Sequence, residues 1–234
     1  MGTAHTTFRS VLRVLEKHYG RPQAPKVTDP LEMILYENVV YLASDEKRVL
    51  AFAVLKKRVG TRPEEILATS EKSLTEITGM AGILADTQAK KLRRIAEIAH
   101  YIFKGDLRAS LKKPLREAMK DLKKFPAIGD PGAEKILLFT RSHPVLALDS
   151  NGLRVLRRVG FGEEKKNYAA TYRSAQEALV DQLPKDCDTL IRAHQLLRQH
   201  GQELCKRSQP LCASCPLQGD CLYFQTTRRQ PTVR

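Results

Sequence analysis

Apolar residues recur at helical spacing along almost the whole chain. Phe8, Val11, Leu12 and Leu15 fall at i, i+3, i+4 and i+7, the signature of one buried helical stripe. A Pro/Gly-rich break follows at Gly20-Arg21-Pro22-Gln23-Ala24-Pro25, and Asp29-Pro30 then supplies an N-cap with proline at the first helical position. The segment from Leu31 to Ala43 is apolar almost all round, which predicts a central helix. The same spacing predicts helices over 45–58, 63–68, 71–78, 86–104, 114–124, 131–141, 150–159, 168–182 and 186–200. Convincing strand alternation is absent, so the expected fold class is all-α. Gln225 to Arg234 reads as a loose basic tail.

Charge adds a partner to this picture. The 234 residues carry 40 Lys plus Arg against 26 Asp plus Glu, a formal net charge of +14. The basic residues are densest at Lys112-Lys113, Lys123-Lys124, Arg154 to Arg158 and Arg228-Arg229. Such an excess is either a solvated face or the footprint of a polyanion, whose condensed counterions Lys and Arg release on binding. A composition of 42% hydrophobic and 28% charged residues excludes wholesale disorder, and the length allows one large domain or two modest ones. No apolar run approaches the roughly 18 residues of a membrane span, and the first residues do not read as a secretory signal. A cytoplasmic protein without a membrane partner is expected, nucleoid-associated if bacterial.

Four of the five cysteines crowd the C-terminal region as Cys205-x6-Cys212-x2-Cys215-x5-Cys221, with Cys187 apart. In an intracellular protein such crowding points to metal rather than disulfides. Four thiolates suit zinc, but zinc ribbons usually supply two short C-x2-C knuckles and only one is present. Wrapping four irons needs ligands spread at several corners with loops between them, and Pro210 and Pro216 keep the segment from becoming helix. The reading is a [4Fe-4S] cluster, with zinc as the alternative.

Two further segments carry candidate chemistry. Around Phe125-Pro126-Ala127-Ile128-Gly129-Asp130-Pro131, a helix ends near Lys124, a turn pivots on Gly129, and Asp130-Pro131 caps the next helix. Backbone N–H groups exposed at such a turn grip a DNA phosphate. Asp149 precedes the helix predicted from Ser150, so it is an N-cap whose negative charge the helix start favours. Glu37 and Asn38, inside the apolar 31–43 segment, need partners or a cavity.

The segment His200-Gly201-x3-Cys205-x6-Cys212-x2-Cys215-x5-Cys221 resembles the C-terminal cluster loop of the endonuclease III family of DNA repair glycosylases. Phe125-Pro126-Ala127-Ile128-Gly129 resembles the family's helix-hairpin-helix pattern Leu-Pro-Gly-(Val/Ile)-Gly, with Ala127 in place of its first glycine. Val145 to Val155 is similar to the segment around the family's catalytic aspartate, which places Asp149 in that role. The resemblance covers about residues 30–224 and implies a two-lobed monomer on double-stranded DNA, with a nucleotide flipped toward Asp149. It implies a helical-barrel lobe over 30–141 and a cluster lobe made of 1–29 and 142–224.

The family's site residues follow by position. Phe125, Ala127, Ile128 and Gly129 form the DNA-gripping hairpin; Lys206 and Arg207 present positive charge from the cluster loop. Cys205, Cys212, Cys215 and Cys221 hold a cluster of structural and redox-sensing type. Tyr41 falls near the residue that fills the gap left by an extruded base, and Glu37 near a glutamate that protonates a departing base in adenine-excising relatives. Bifunctional members carry a lysine two residues past the hairpin's last glycine, whose amine attacks the sugar; here that position is Pro131. A monofunctional DNA glycosylase is therefore expected. Two alternatives stay open: a lyase using Lys135, one turn further on, and a non-catalytic DNA-binding iron–sulfur protein. Nothing in the sequence names the base removed.

Overall fold

The computed structural model describes residues 6–23, 25, 27–80 and 82–228. In chain order its helices are α1 (Phe8–Tyr19), α2 (Pro30–Asn38), α3 (Asp45–Arg58), α4 (Pro63–Ala68), α5 (Glu71–Gly79), α6 (Ala85–Glu97), α7 (Arg108–Leu111), α8 (Leu115–Leu122), α9 (Asp130–Phe139), α10 (Ser150–Val159), α11 (Tyr168–Glu177), α12 (Cys187–Glu203) and α13 (Leu222–Arg228). No strand occurs among the described residues, and no helix there is long and apolar enough to cross a membrane. Two compact units form: a continuous one over 25–143, and a split one made of residues up to 24 and from 144 onward.

Small polar side chains start most of these helices by accepting an otherwise orphaned N–H. Asp29, Ser44, Ser70, Asp149, Asn167 and Asp186 each accept from the backbone N–H three residues on. In the continuous unit, Ile34 and Leu35 of α2 are fully buried, as the apolar character of that helix predicts. The same core holds Leu55 of α3, Ile66 of α4, Leu74 and Ile77 of α5, Leu92 and Ile95 of α6, and Ile136 to Leu138 of α9.

Several boundaries differ from those the apolar pattern predicts. The helix expected to reach Ala43 ends at Asn38, because Arg48 Nη1 donates to the carbonyls of Tyr36 (3.2 Å), Glu37 (2.9 Å) and Val40 (3.2 Å). A side chain thus supplies donors for carbonyls at and beyond the helix end. The helix expected over 86–104 is α-helical only to Glu97 and closes with a π turn at Ile98–Ile102, which Gly105 seals by donating to Ala99 O at 2.8 Å. Apolar spacing cannot register a one-residue widening of the helix. The segment expected over 168–182 stops at Glu177 and resumes as a 3₁₀ turn at Val180–Gln182, while α12 runs on to Glu203 and the short α7 was not predicted. Gln225 to Arg228 belong to α13 rather than to a loose tail, and Arg229 to Arg234 lie outside the described residues.

In the split unit, α10 packs along α12, with α1 against α12 and α13 against α10. The approach of α10 and α12 is close enough that a Cβ on Gly201 would lie 2.7 Å from Asn151 Cβ and 2.8 Å from Asn151 O. Gly201, half of the His-Gly pair noticed in the sequence, is therefore fixed by packing.

Candidate functional site

The hairpin lies in the continuous unit between α8 and α9. Phe125 and Ile128 are buried, and Phe125 stacks on Phe103 at 5.5 Å between centroids. Their side chains hold the loop from within, leaving Ala127 and Gly129 exposed at the tip. The cap differs from expectation: Gly129 is the N-cap and makes no side-chain bond, while Asp130 is already helical and instead pairs with Lys123 at 2.6 Å. With Gly129 as cap, the N–H groups of Asp130 and Gly132 stand at the open end of α9, an anion-binding arrangement. Ala127 has φ 58, the left-handed conformation that glycine accepts without strain. Ala127→Gly is therefore expected to raise stability by about 0.5 kcal/mol and Ala127→Val to lower it by about 2 kcal/mol, opposite signs that urea unfolding would resolve.

The hairpin's entry is clamped by Asp121, which lies at the end of α8 with its side chain nearly buried and bonds Lys113 and Lys124 at 2.7 Å each. Burial pushes this carboxyl up, but bonds from Lys113, Lys124 and Ser110 outweigh it and hold the pKa at about 2. A depressed carboxylate stabilises the fold above its ordinary pKa and loses that contribution as pH falls through the folded value. Asp121→Asn is thus expected to cost about 2 kcal/mol at neutral pH. In denaturant titrations the gap from wild type should close as pH falls from 3.8 toward 2.

Elsewhere in this unit, Glu37 meets Lys135 Nζ at 2.6 Å, linking α2 to α9. Lys135 is thus an ion-paired, part-buried lysine. Asn38 donates to Pro126 O at 3.1 Å, tying α2 to the hairpin. Because α2 ends early, Tyr41 sits on a loop and not at a helix end; it is exposed beside Leu42, which has φ 50. That loop meets the 82–84 loop, where Ile83 N donates to Tyr41 O at 3.4 Å and Gly82 passes too close to Tyr41 for any Cβ. Leu42, Ile83 and Leu84 are exposed apolar neighbours that no sequence pattern signalled.

In the split unit, Asp149 is the N-cap of α10. Its Oδ1 accepts from Gly152 N at 2.7 Å; its Oδ2 accepts from Asn151 Nδ2 at 3.1 Å and lies 3.3 Å from Arg198 Nε. A carboxylate has about four lone-pair positions, so these three partners fix the group and leave one position open. The segment leading to it is pinned as well: Tyr172 OH accepts from Leu148 N, and His194 Nδ1 donates to Ala147 O. From Asn151 the bonding continues to Arg154, whose Nη2 donates to Asn151 Oδ1 (2.8 Å) and Gly201 O (2.7 Å) and whose Nε donates to Cys205 O (2.8 Å). Asp149 and the first cysteine of the loop are thus joined through two side chains. Arg154 lay within the segment that singled out Asp149, and Arg198 is a residue that only tertiary structure brings there.

Cys205 and Cys212 lie near enough to Cys215 and Cys221 to raise the pKa values of both. Burial pushes Cys215 up to about 11 and also raises Cys221, in each case reinforced by the other cysteines. Four sulfur donors on one loop, deprotonated as a cationic core binds, are the donor set of an iron–sulfur centre. Among the described residues no three His, Cys, Asp or Glu side chains close on a single-ion position. His200 Nε2 lies 3.5 Å from Cys215 Sγ and its Nδ1 3.0 Å from Tyr19 OH. Burial, with His18, holds His200 down to about 4, and burial raises Tyr19 to about 12. The phenol therefore donates to Nδ1, which leaves Nε2–H to donate to the sulfur. Lys206 and Arg207 are exposed on this loop and, with Arg154 and Arg157, line a groove of about 640 Å³.

No protein-family profile matches the chain. Endonuclease III of Sulfolobus acidocaldarius is 26% identical over 196 residues, 83% of this chain and 80% of that protein. The thymine/uracil-DNA glycosylase of Pyrobaculum aerophilum is 23% identical over 231 residues, 97% of this chain and 96% of its own. Among solved structures, a trapped endonuclease III–DNA covalent intermediate superposes with a TM-score of 0.76 at 18% identity, covering 96% of this chain and all of that one. The chain is similar in sequence and in fold to endonuclease III-like helix-hairpin-helix glycosylases.

Two positions set this endonuclease III-like chain apart from the family pattern. Ala127, where the pattern has glycine, holds a left-handed backbone with φ 58. Pro131, the second residue of α9, offers no side-chain amine. The nearby amine of Lys135 is occupied by Glu37.

Proposed function

We propose that this chain is a monofunctional DNA glycosylase that hydrolyses the N-glycosidic bond of a damaged or mismatched base in double-stranded DNA. The observation that carries the reading is Asp149, oriented at the start of α10 by Gly152 and Asn151, in a chain whose lyase position is Pro131. As the C1′–N bond breaks, its electron pair leaves with the base and positive charge develops on the deoxyribose. Asp149 stabilises that charge and takes a proton from the water that attacks C1′; the proton passes on to solvent or to the departed base. Arg198 is the counterweight, since its positive charge beside Oδ2 holds the carboxylate in place between turnovers.

The remaining residues grip. Backbone N–H groups around Ala127 and Gly129 bind a phosphate, with Phe125 and Ile128 holding the loop from inside. Lys206 and Arg207 add phosphate contacts from the cysteine loop. Tyr41, with Leu42 beside it, fills the gap left by the flipped nucleotide. Glu37 is given a structural part, as the partner of Lys135. The cofactor is a [4Fe-4S] cluster on Cys205, Cys212, Cys215 and Cys221, with zinc the alternative; when bound, it supplies a cross-link across the loop and a one-electron couple. The protein acts as a cytoplasmic monomer, nucleoid-associated if bacterial.

A panel of oligonucleotides carrying uracil, mismatched thymine, alkylated purines, oxidised pyrimidines and mismatched adenine tests the reading. Base release that yields strand breaks only after alkali, with no borohydride-trapped adduct, is the expected result. A trapped adduct lost in Lys135→Ala would establish the lyase alternative instead, and no release from any substrate would leave a DNA-binding module.

A further inference from the structure

We propose that Arg158 is a positioning residue for the iron–sulfur core, fastening Cys205 and raising the reduction potential of the cluster. The proposal rests on the [4Fe-4S] reading above. Arg158 lies on the last turn of α10 and is only 8% exposed, although it is charged and has no carboxylate partner among the described residues. A buried guanidinium without an anion costs several kcal/mol, so the fold is expected to contain an anion that offsets it. Its contacts show where. Nη1 lies 3.3 Å from Cys205 Sγ and donates to Lys206 O at 2.7 Å, and Nη2 donates to Arg207 O at 3.0 Å. The Tyr223 ring covers the guanidinium at 4.5 Å, and the carbonyl of Arg158 itself lies 3.3 Å from Cys221 Sγ. One residue thus touches the first and last cysteines of the loop and the aromatic side chain that follows them.

A core ligated by four thiolates carries net negative charge, which is the missing partner. The two bonds to sulfur differ in kind: His200, neutral, meets Cys215 at 3.5 Å, whereas Arg158 brings a full charge to Cys205 at 3.3 Å. A charged N–H···S bond in a buried site favours the more reduced, more negative state of the core, and so raises its potential. Lysine at this position keeps the charge but cannot reach the sulfur and two carbonyls together, because it lacks the planar fork.

The test uses the full chain purified without air, with iron and sulfide content, helical content by circular dichroism, and the midpoint potential by redox titration. Arg158→Lys is expected to shift the oxidised-to-reduced ratio at a given potential about tenfold toward oxidised, about 59 mV for one electron, and Arg158→Gln by more. Loss of iron from either variant with its helices intact supports the fastening role. Full iron at the wild-type potential in Arg158→Lys overturns the proposal. So does loss of helix together with iron, the behaviour of a residue that merely props α10. A wild-type chain without iron would instead mark failure of the cluster reading itself.

Discussion

Asp149→Asn is expected to slow base release about 10³-fold in single-turnover assays, a barrier increase of about 4 kcal/mol, while the protein stays folded. The two effects separate because Asp149 has two jobs. As an N-cap it accepts from Gly152 N, and asparagine caps a helix as well as aspartate does. As a charge it opposes the cation forming on the sugar, and asparagine has none to offer. The substituted amide also meets Asn151 Nδ2 with a donor where Oδ2 accepted, and it removes the negative charge that Arg198 Nε faces at 3.3 Å. These local losses come to about 1 kcal/mol of stability. A melting curve near that of wild type beside a collapsed excision rate is the expected pattern. An unchanged rate would remove Asp149 from the chemistry.

The helices were legible because apolar spacing and polar caps are local. Asp29 and Asp149 mark helix starts in the sequence and cap them in the structure. What the pattern could not show was decided by side chains arriving from elsewhere. Arg48 ends α2 from the next helix, so Tyr41 belongs to a loop instead of a helix end. Lys135 and Glu37 form an ion pair across 98 positions of sequence, which no local spacing announces. The same limit applies at the hairpin: Phe125-Pro126-Ala127-Ile128-Gly129 identified the turn, but only the fold separates its buried side chains from the exposed N–H groups. The crowding of the cysteines was visible in their spacing, whereas what Arg154 and Arg158 touch, one and two turns into the helix that Asp149 caps, was not.

Arg154→Met is expected to lower stability by about 3–5 kcal/mol and, under conditions where the variant is folded, to slow base release about tenfold. The stability loss follows from removing a forked donor and leaving the carbonyls of Gly201 and Cys205 and the Asn151 amide oxygen short of partners where α10 and α12 pack tightest. For a chain of this size the melting temperature should fall by about 10 °C or more. The rate loss has a different route. Arg154 fixes Asn151 Oδ1, which aims the opposite end of that amide at Asp149 Oδ2; without it the amide turns and the carboxylate loses one of the bonds that orient it. Asn151→Ala should therefore reproduce the rate defect with a smaller stability cost. Because the two residues act in series on one carboxylate, the double variant should excise no more slowly than Arg154→Met alone. Additive rate losses would instead mean that each reaches the chemistry independently.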